Sequence, residues 1–474
     1  MSTRLPRPPA IARLERLGRE DMALLRIVSP VILGHTLKVL LVERAADGSE
    51  LRLERLRERV AAGLDAEPRM RQRLRATPLH IAAPAWVPDP DFELGRHVRS
   101  REPLSAGDEG LRQSIAAAMT ERLDPEHPLW AIELLGPLAD GRAAVLCRFH
   151  HVMADGRAAI RIMRHLLWSE PPSAPPACSA PEPRAAALLA DGLRYRSQQL
   201  REALASPLAH VDEWRDRVRG FALLRRVLWR ELGGTPATTT ALDARIGRRR
   251  EVAWAHVSLA AARQIAHASH PRATVNDVLL ATIGGGLRAW LRPGGARLRA
   301  KVPVSMHPEG EDPRIGNRDS FFFVDLAASE RDPRARLETI GAQTRVRKRT
   351  DAETLHRFIH DLRAVGPLSR PIEGLVADPH AFTVEISNLR GPPEPISVAD
   401  HSARELLTFA EPAQRHALRI TAISFAGRIA IGLCSDPGVA PPLGGLATAI
   451  ERELEGLGQA RTGRPAHKHD PPRA

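Results

Sequence analysis

The sequence predicts an α/β protein in which two mixed helix-and-strand units are joined by an irregular connection. Its 474 residues correspond to two or three units at roughly 100–200 residues per domain. Residues 1–169 and 236–457 both mix strand-like and helical apolar spacing. Between them, Glu170 to Pro183 reads EPPSAPPACSAPEP, and so much proline fits neither a helix interior nor a central strand.

Composition narrows the class of protein. Hydrophobic residues make up 43% and charged residues 26% of the chain, which is typical of a globular protein. No apolar run reaches the ~18 residues that span a bilayer, and residues 1–19 lack the apolar core of a secretory signal. The three cysteines show no metal or redox spacing. We therefore expect a cytoplasmic protein without a metal site.

The positive charge of the chain indicates anionic partners. The formal net charge is +13, which favours anionic lipid or a phosphate-bearing substrate. Nucleic acid is a poor candidate because aromatic residues are only 4% of the chain, and base stacking needs aromatic platforms. No pattern in the sequence defines an oligomeric state.

The connecting stretch, residues 170–235, combines the proline-rich linker with a helical segment. From Trp214 to Leu232, apolar residues recur at helical spacing and arginines occupy the other faces. Such a helix either lies on an anionic membrane surface or packs its apolar stripe on the protein's own core, and the second interpretation is favoured. Residues 458–474 are predicted to be a disordered tail.

The most informative segment of the first unit is a short strand that ends in two histidines. Residues 143–149 form an apolar run typical of a buried strand. Asp155 and Gly156 then interrupt the chain, and helical apolar spacing follows. Adjacent strand residues point to opposite faces, so His150 and His151 are poorly placed to share a metal ion. His151 is expected to face a cleft, and His150 to face the other way.

A histidine at the end of a strand suits general-base catalysis. With an ordinary pKa of about 6.5 it is mostly neutral at pH 7, and His151 could take the proton of a hydroxyl that attacks an acyl carbon. Asp155 would orient the loop through an ion pair or cap the following helix, and Gly156 would permit a tight turn. The alternative is that these residues are only structural. Cys147 shares the strand face of His151, so a thiol nucleophile is conceivable, although a buried cysteine is usually inert.

A second candidate motif opens a helix in the C-terminal unit. Apolar spacing predicts an amphipathic helix from Thr274 to Leu291, and Thr274 with Asp277 three residues later forms a variant of the capping box. Asp277 is therefore interpreted as structural support.

Together these residues resemble a known family. His150, His151, Asp155 and Gly156 match the HHxxxDG motif of the CoA-dependent acyltransferase superfamily, and the chain is more specifically similar to bacterial wax ester synthase/diacylglycerol acyltransferases. The segment from residue 19 to 38 and Asp243 depart from the family pattern. The further matching elements are Pro128, Leu129 and Trp130 (PLW), residues 274–280 (TVNDVLL), residues 301–305 (KVPVS) with Gly316 and Asn317, Ser387, Asn388, Gly391 and Pro392 (SNxxGP), and residues 424–428 (SFAGR) with 434–437.

The resemblance implies a fold and an activity. It implies two similar α/β subdomains with mixed sheets and an active-site channel between them. It implies transfer of a fatty acyl group from acyl-CoA, a co-substrate rather than a bound cofactor, to the hydroxyl of diacylglycerol, a long-chain alcohol, or both. Such an enzyme would associate peripherally with an anionic membrane or with lipid inclusions. The rivals are a related acyltransferase with a polyketide or carrier-bound acceptor, and a non-catalytic lipid-surface protein.

The resemblance also assigns roles to residues. His151 would be the general base, held by His150 and Asp155, and transfer would be direct. The further residues that it implicates are Gly156, Ser387 and Asn388 (the last two as oxyanion donors), Asn276 and Asp277 (shaping the site), and Pro128, Leu129 and Trp130.

Overall fold

The computed structural model describes residues 14–105, 107–138, 140–168, 181–205, 236–292, 294–305, 319–347, 354 and 378–459. Within these residues two six-stranded mixed sheets form the framework, which confirms the predicted α/β class. The strands are β1 (His35–Val42), β2 (Gln72–Arg75), β3 (Ala85–Pro88), β4 (Val98–Arg101), β5 (Trp130–Leu135), β6 (Ala143–His150), β7 (Glu251–Ser258), β8 (Arg299–Ser305), β9 (Asp319–Asp325), β10 (Val384–Arg390), β11 (Ser397–Val398), β12 (His401–Ala410), β13 (Leu418–Phe425) and β14 (Arg428–Ser435). The helices are α1 (Arg19–Ile27), α2 (Leu53–Gly63), α3 (Leu94–His97), α4 (Gly107–Ala118), α5 (Gly156–Leu167), α6 (Ala185–Ala205), α7 (Leu259–Ala268), α8 (Val275–Leu291), α9 (Pro333–Arg347) and α10 (Leu443–Gln459).

The first sheet has the order β11-β12-β1-β6-β5-β4. All of its pairs are antiparallel except β4 with β5. Strand β6 lies between β1 and β5, and all of its residues are buried. A strand covered on both faces reads as a continuous apolar run rather than an alternating one. The predicted buried strand is therefore present, and it extends to His150.

The second sheet has the order β7-β14-β13-β10-β8-β9. Strand β10 pairs in parallel with β13 and β8, and the other pairs are antiparallel. Buried apolar side chains form two large clusters, one mainly around each sheet, and the first cluster also includes Val252, Ile423 and Phe425 from strands of the second sheet. The two sheets are therefore packed together in part through apolar side chains.

One strand pair crosses from the second half of the chain into the first sheet. Strands β11 and β12 belong to the C-terminal stretch, yet β12 pairs with β1 from Thr36 opposite Ala410 to Val42 opposite Ala403. Strand β12 also contacts the second sheet, because the Thr421 hydroxyl of β13 donates a hydrogen bond to the Thr408 carbonyl at 2.5 Å. The division predicted between residues 1–169 and 236–457 therefore does not coincide with the division between the sheets.

The connecting stretch is described in part. Helix α6 lies within residues 170–235, the stretch that is predicted to contain a helical segment, and is fixed by an ion pair of 2.7 Å between the buried side chains of Arg16 and Asp191. The predicted basic helix from Trp214 to Leu232 lies outside the described residues. Helix α10 continues to Gln459, so the first two residues of the predicted disordered tail, 458–474, are helical. Residues 460–474 lie outside the described residues. Among the helices described, none is long and apolar enough to cross a membrane.

Helix α8 begins at the predicted capping box. The backbone N–H and the hydroxyl of Thr274 both donate to Oδ2 of Asp277 at 2.8 Å. The Thr344 hydroxyl donates to the other carboxylate oxygen at 2.7 Å, and Asp277 is 1% exposed. Residues 277–287 are all buried, because α9 and α10 pack against this helix. It is therefore a core helix, rather than the amphipathic one that the sequence predicts.

Candidate active site

The two histidines lie where β6 leaves the first sheet. The backbone N–H of His150 donates to the Leu129 carbonyl at 3.0 Å, and that of His151 donates to the Gly34 carbonyl at 2.8 Å. These two bonds fix the backbone of the pair. The imidazoles then point to different cavities, His150 to one and His151 to the other, as the alternation of side chains along a strand requires.

The cavity beside His150, here called the apolar cavity, has a volume of about 680 Å³. Most of its walls are aliphatic, and arginines and glutamates occur among them. Helix α1, strand β2 and the start of helix α6 all contribute. Its aliphatic side chains are Leu25, Val28, Leu33, Leu74, Ala76, Leu123, Leu129, Ala185 and Leu188, and its charged ones are Arg75, Arg122, Arg184, Glu126 and Glu182.

The cavity beside His151, here called the polar cavity, has a volume of about 320 Å³. It lies between the sheets, with β1 and β12 on one side and β8, β10 and β13 on the other. Alternate residues of these strands face it, and most of them are polar or charged. The lining residues on the strands are Thr36 and Lys38, Thr408 and Ala410, Lys301, Pro303 and Ser305, Ser320 and Phe321 of β9, Glu385, Ser387, Asn388 and Leu389, and Arg419, Thr421 and Ala422.

The ring of His150 is held as a neutral imidazole. Its Nδ1 accepts a hydrogen bond from the backbone N–H of Val152 at 3.2 Å, so in the neutral ring the proton sits on Nε2. Burial lowers the pKa of His150 to about 4, and repulsion from His151 when that ring is protonated, and from Arg122, acts in the same direction. Gly34 has a φ of +76°, and a Cβ there would lie 2.8 Å from His150 Nε2. The turn against this ring therefore requires glycine.

His151 is neutral at pH 7. Burial lowers its pKa to about 4, and the positive charges of Arg419 and Lys38 act in the same direction. The carboxylates of Asp155 and Glu385 oppose them. His151 is partly exposed, and it lines the polar cavity. A neutral imidazole facing a cavity can accept a proton from a bound molecule.

Asp155 and Gly156 shape the loop after the histidines. Asp155 is 7% exposed and caps helix α5, because its Oδ1 accepts the Ala158 N–H at 2.7 Å. The tight turn predicted for Gly156 is wrong, since its φ is not in the left-handed region. A Cβ at Gly156 would instead lie 3.2 Å from Leu389 Cδ1. This glycine allows strand β10 to approach the start of α5.

The SNxxGP strand meets the TVND helix at the polar cavity. Ser387 and Asn388 both line that cavity. The Asn388 side-chain amide donates to Asn276 Oδ1 at 3.4 Å, so Asn276 is linked to the site. Asp277 is not linked to the site in this way, because its carboxylate oxygens accept hydrogen bonds from Thr274 and Thr344.

The PLW segment supports the histidine strand from the other side. Trp130 is 1% exposed, donates from Nε1 to the Met70 carbonyl at 2.8 Å, and stacks on His97 with ring centroids 4.5 Å apart. Leu129 anchors the His150 backbone through its carbonyl and lines the apolar cavity, while Pro128 is buried beside it. These residues position the strand and lie away from the polar cavity.

Sequence reasoning missed the charged residues of the polar cavity. Lys38, Glu385 and Arg419 each interrupt an otherwise apolar or neutral strand segment. A charged residue in such a segment is a usable signal, because charged side chains are rarely buried without a partner. The missing information was that the three strands face one another, which only the fold provides.

Glu411 is a further residue that the sequence did not indicate. Its Oε2 accepts backbone N–H groups from Gly34 at 2.7 Å and from Leu33 at 3.0 Å, and burial raises its pKa to about 7. The turn that it holds carries the Gly34 carbonyl to the backbone of His151. Glu411 therefore positions the catalytic candidate from the end of β12.

Comparison with protein families agrees with this geometry. Residues 17–279 match the wax ester synthase/diacylglycerol acyltransferase catalytic domain, and residues 315–458 match the WS/DGAT C-terminal domain. A two-sheet protein with a histidine pair at the interface is thus placed among acyltransferases. The chain belongs to the wax ester synthase/diacylglycerol acyltransferase family.

Individual relatives support the same placement. A Mycobacterium tuberculosis protein named "Probable diacyglycerol O-acyltransferase tgs1" is 28% identical over 398 residues, which cover 81% of this chain and 83% of that protein. A second one from that species, named "Probable diacyglycerol O-acyltransferase tgs2", is 27% identical over 420 residues, covering 85% and 90%.

Solved structures show the same fold. The wax ester synthase/diacylglycerol acyltransferase from Marinobacter aquaeolei VT8 has a TM-score of 0.66 at 19% identity and covers 95% of this chain and 100% of that one. The starter condensation domain of rhizomide synthetase, solved in complex with C8-CoA, has a TM-score of 0.58 at 13% identity and covers 97% and 98%.

Proposed function

We propose that this acyltransferase moves a fatty acyl group from acyl-CoA to the hydroxyl of a lipid, namely diacylglycerol, a long-chain alcohol, or both. The observation that carries the proposal is the neutral His151 imidazole facing the polar cavity between the sheets. The names of the relatives support the reaction class and the acceptor class.

The proposed step is a direct transfer with His151 as the general base. His151 accepts the proton of the acceptor hydroxyl while that oxygen forms a bond to the thioester carbonyl carbon. The tetrahedral intermediate then collapses, the C–S bond breaks, and the proton passes from His151 to the departing CoA thiolate. The products are the ester and free CoA, so atoms and charge balance.

Other residues of the site have supporting roles in this proposal. Asp155 partly offsets the cations that depress the pKa of His151 and fixes the start of α5. The oxyanion of the intermediate needs hydrogen-bond donors, and Ser387 and the Asn388 amide line the same cavity. The apolar cavity would take a hydrocarbon chain, since aliphatic side chains form most of its walls.

The surroundings of Cys147 support direct transfer. Its thiol is fully buried on β6, and burial raises its pKa, so it is a poor nucleophile. Initial rates measured over both substrates should give intersecting double-reciprocal plots rather than the parallel lines of a covalent intermediate. Isolation of a radiolabelled acyl-enzyme after incubation with palmitoyl-CoA alone would contradict direct transfer.

We further propose that the enzyme works in the cytoplasm at an anionic membrane or lipid-inclusion surface. The proposed acceptors are nearly insoluble in water, so the protein must meet them at an interface. The sequence candidate for contact is the basic helix from Trp214 to Leu232, where each arginine near anionic lipid contributes up to ~1 kcal/mol. Wild type should float with anionic liposomes at low salt, and a variant with Arg225, Arg226 and Arg230 changed to Gln should float less. Equal flotation would exclude the helix, and no wild-type flotation would exclude surface association.

A panel of acceptors with palmitoyl-CoA tests the reaction itself. Release of free CoA thiol, with the ester product identified by mass spectrometry, is expected for diacylglycerol or hexadecanol. Turnover only with a carrier-bound or polyketide hydroxyl would indicate the related acyltransferase. Absence of turnover with lipid binding retained would indicate a non-catalytic lipid-binding protein.

A further inference from the structure

The polar cavity carries more charge than a reaction between a neutral alcohol and a thioester requires. Lys38 on β1, Lys301 on β8, Glu385 on β10 and Arg419 on β13 all line it. A neutral alcohol and a hydrocarbon chain offer nothing that would match these charges, and the oxyanion that forms during transfer already has Ser387 and Asn388 as its proposed donors. The cavity therefore contains a recognition element whose ligand is not explained by the reaction alone.

Three of these charges neutralise one another in part. Glu385 forms ion pairs with Arg419 and with Lys301, whose Nζ lies 3.5 Å from Glu385 Oε2. These cations hold the pKa of Glu385 at about 2 despite its burial. Lys301 also lies over the ring of Phe321, 4.8 Å from the centroid. This group is internally paired and has one excess positive charge.

Lys38 is different, because it is buried and has no partner among the described residues. It is 3% exposed and lines the cavity. Its backbone belongs to the ladders with β6 and β12, but its side chain makes no hydrogen bond or ion pair with any residue that the structure describes. Opposite it on β6 lies Cys147, whose raised pKa keeps the thiol neutral, and on β12 lies Thr408. Buried ammonium groups are normally paired, because removing an isolated charge from water is costly.

Burial lowers the pKa of Lys38 to about 8, so at pH 7 most of the molecules carry the charge. The carboxylate of Asp155 acts on Lys38 from a distance, while its Oδ1 accepts the Ala158 N–H. A positively charged side chain that faces a cavity and forms no ion pair with any described residue is a binding group for an anion.

We propose that Lys38 binds an anionic group of the acceptor, so that the preferred acceptor is a lipid alcohol with a carboxylate or phosphate a few bonds from its reacting hydroxyl. This inference rests on the proposed acyl transfer and goes beyond the acceptors named for it, because neither diacylglycerol nor a long-chain alcohol carries such a group. The phosphates of acyl-CoA cannot be the ligand while the thioester carbonyl is at His151, because the long pantetheine arm separates them. The acceptor, whose hydroxyl must reach His151 in the same cavity, is the substrate whose charge can reach Lys38.

The test uses acceptors matched in skeleton and different in charge. One pair is 3-hydroxydecanoate and 1,3-decanediol, and the other is 1-decanoylglycerol 3-phosphate and 1-decanoylglycerol. With palmitoyl-CoA as donor, kcat/KM of the wild type for the anionic member of at least one pair should exceed that of the neutral member by about tenfold or more. The pair that shows the difference distinguishes a carboxylate from a phosphate ligand.

Variants assign the preference to one side chain. Lys38→Met should reduce the anionic-to-neutral ratio of kcat/KM to about one, and Lys38→Arg should restore most of it. Arg55→Met, which removes a charge from the exposed face of α2, is the matched control and should leave the ratio unchanged. Circular dichroism and Tm confirm that each variant is folded.

Two results would overturn the proposal. One is an equal loss of kcat/KM for all four acceptors in Lys38→Met, which would assign the lysine to the reaction centre or to stability. The other is equal wild-type kcat/KM for the two members of both pairs.

A binding measurement separates this inference from the proposed function. Each anionic ligand of a preferred pair should raise the Tm of the wild type more than its neutral partner does, and Lys38→Met should abolish the difference. If this pattern is found without turnover of any acceptor, the proposed reaction fails and the anion site stands. If neutral lipid alcohols are esterified but no anionic ligand is preferred in rate or in Tm, the reaction stands and the anion site is refuted.

Discussion

The depressed pKa of His151 predicts how the rate of the enzyme depends on pH. With a pKa of about 4, His151 would be about 97% neutral at pH 5.5, whereas an imidazole with the ordinary pKa of 6.5 would be about 9% neutral. Lowering the pH from 7 to 5.5 should therefore change kcat/KM by less than about twofold, instead of the roughly eightfold loss expected for an unperturbed histidine. Because the neutral form is the base, activity is present above the folded-state pKa and is lost as the pH falls through it.

The assay is the pH profile of kcat/KM with palmitoyl-CoA and diacylglycerol, which reports the groups of the free enzyme. Two variants should move the acid limb in opposite directions. Arg419→Gln removes the charge that contributes most after burial to lowering the pKa of His151, so the limb should move to higher pH. Glu385→Gln removes a charge that raises this pKa, so the limb should move to lower pH.

The two variants disrupt the same ion pair, so general structural damage would move both profiles alike. Circular dichroism and Tm measured at each pH serve as controls for unfolding. A wild-type acid limb near pH 6.5, or displacement of both variants in the same direction, would refute the argument that burial and these two charges set the pKa of His151.

Three substitutions test the support around the site. Asp277→Ala should lower the free energy of unfolding in urea by ~1–2 kcal/mol, because helix α8 loses its cap, whereas the Thr344 hydroxyl keeps the Gly341 carbonyl as an acceptor at 3.2 Å; a loss no larger than that of Thr344→Val would contradict the role of the cap. Gly34→Ala should lower both Tm and kcat, because its Cβ would stand 2.8 Å from His150 Nε2, and unchanged values would show that the turn adjusts freely. Cys147→Ala should keep kcat within about twofold if no acyl-enzyme forms, and a hundredfold loss would restore the thiol as a candidate nucleophile.

Local signals in the sequence predicted the parts of the site that lie close together along the chain. The apolar run before His150 defined β6, and side-chain alternation placed the two imidazoles on different faces. The spacing of Thr274 and Asp277 predicted the cap of α8 because a capping box is complete within four residues. In each case the deciding contacts are made between near neighbours, so no knowledge of the fold was needed.

The remaining features depend on contacts between distant segments. The insertion of β12 into the first sheet joins residues 401–410 to residues 35–42, and no local pattern specifies that pairing. The charged wall of the polar cavity combines Lys38 with Glu385 and Arg419 from the other sheet. Gly156 was interpreted through turn geometry, whereas the constraint comes from Leu389 on a strand far along the chain.

Turnover of His151→Ala compared with His150→Ala tests the central claim most directly. Both variants, folded by circular dichroism, are assayed with palmitoyl-CoA and diacylglycerol at pH 7. If His151 is the general base, His151→Ala should lose at least ~10²-fold in kcat. His150→Ala should lose less, because its ring faces the apolar cavity. Near-normal turnover of His151→Ala, or a larger loss in His150→Ala, would contradict the assignment of His151 as the base.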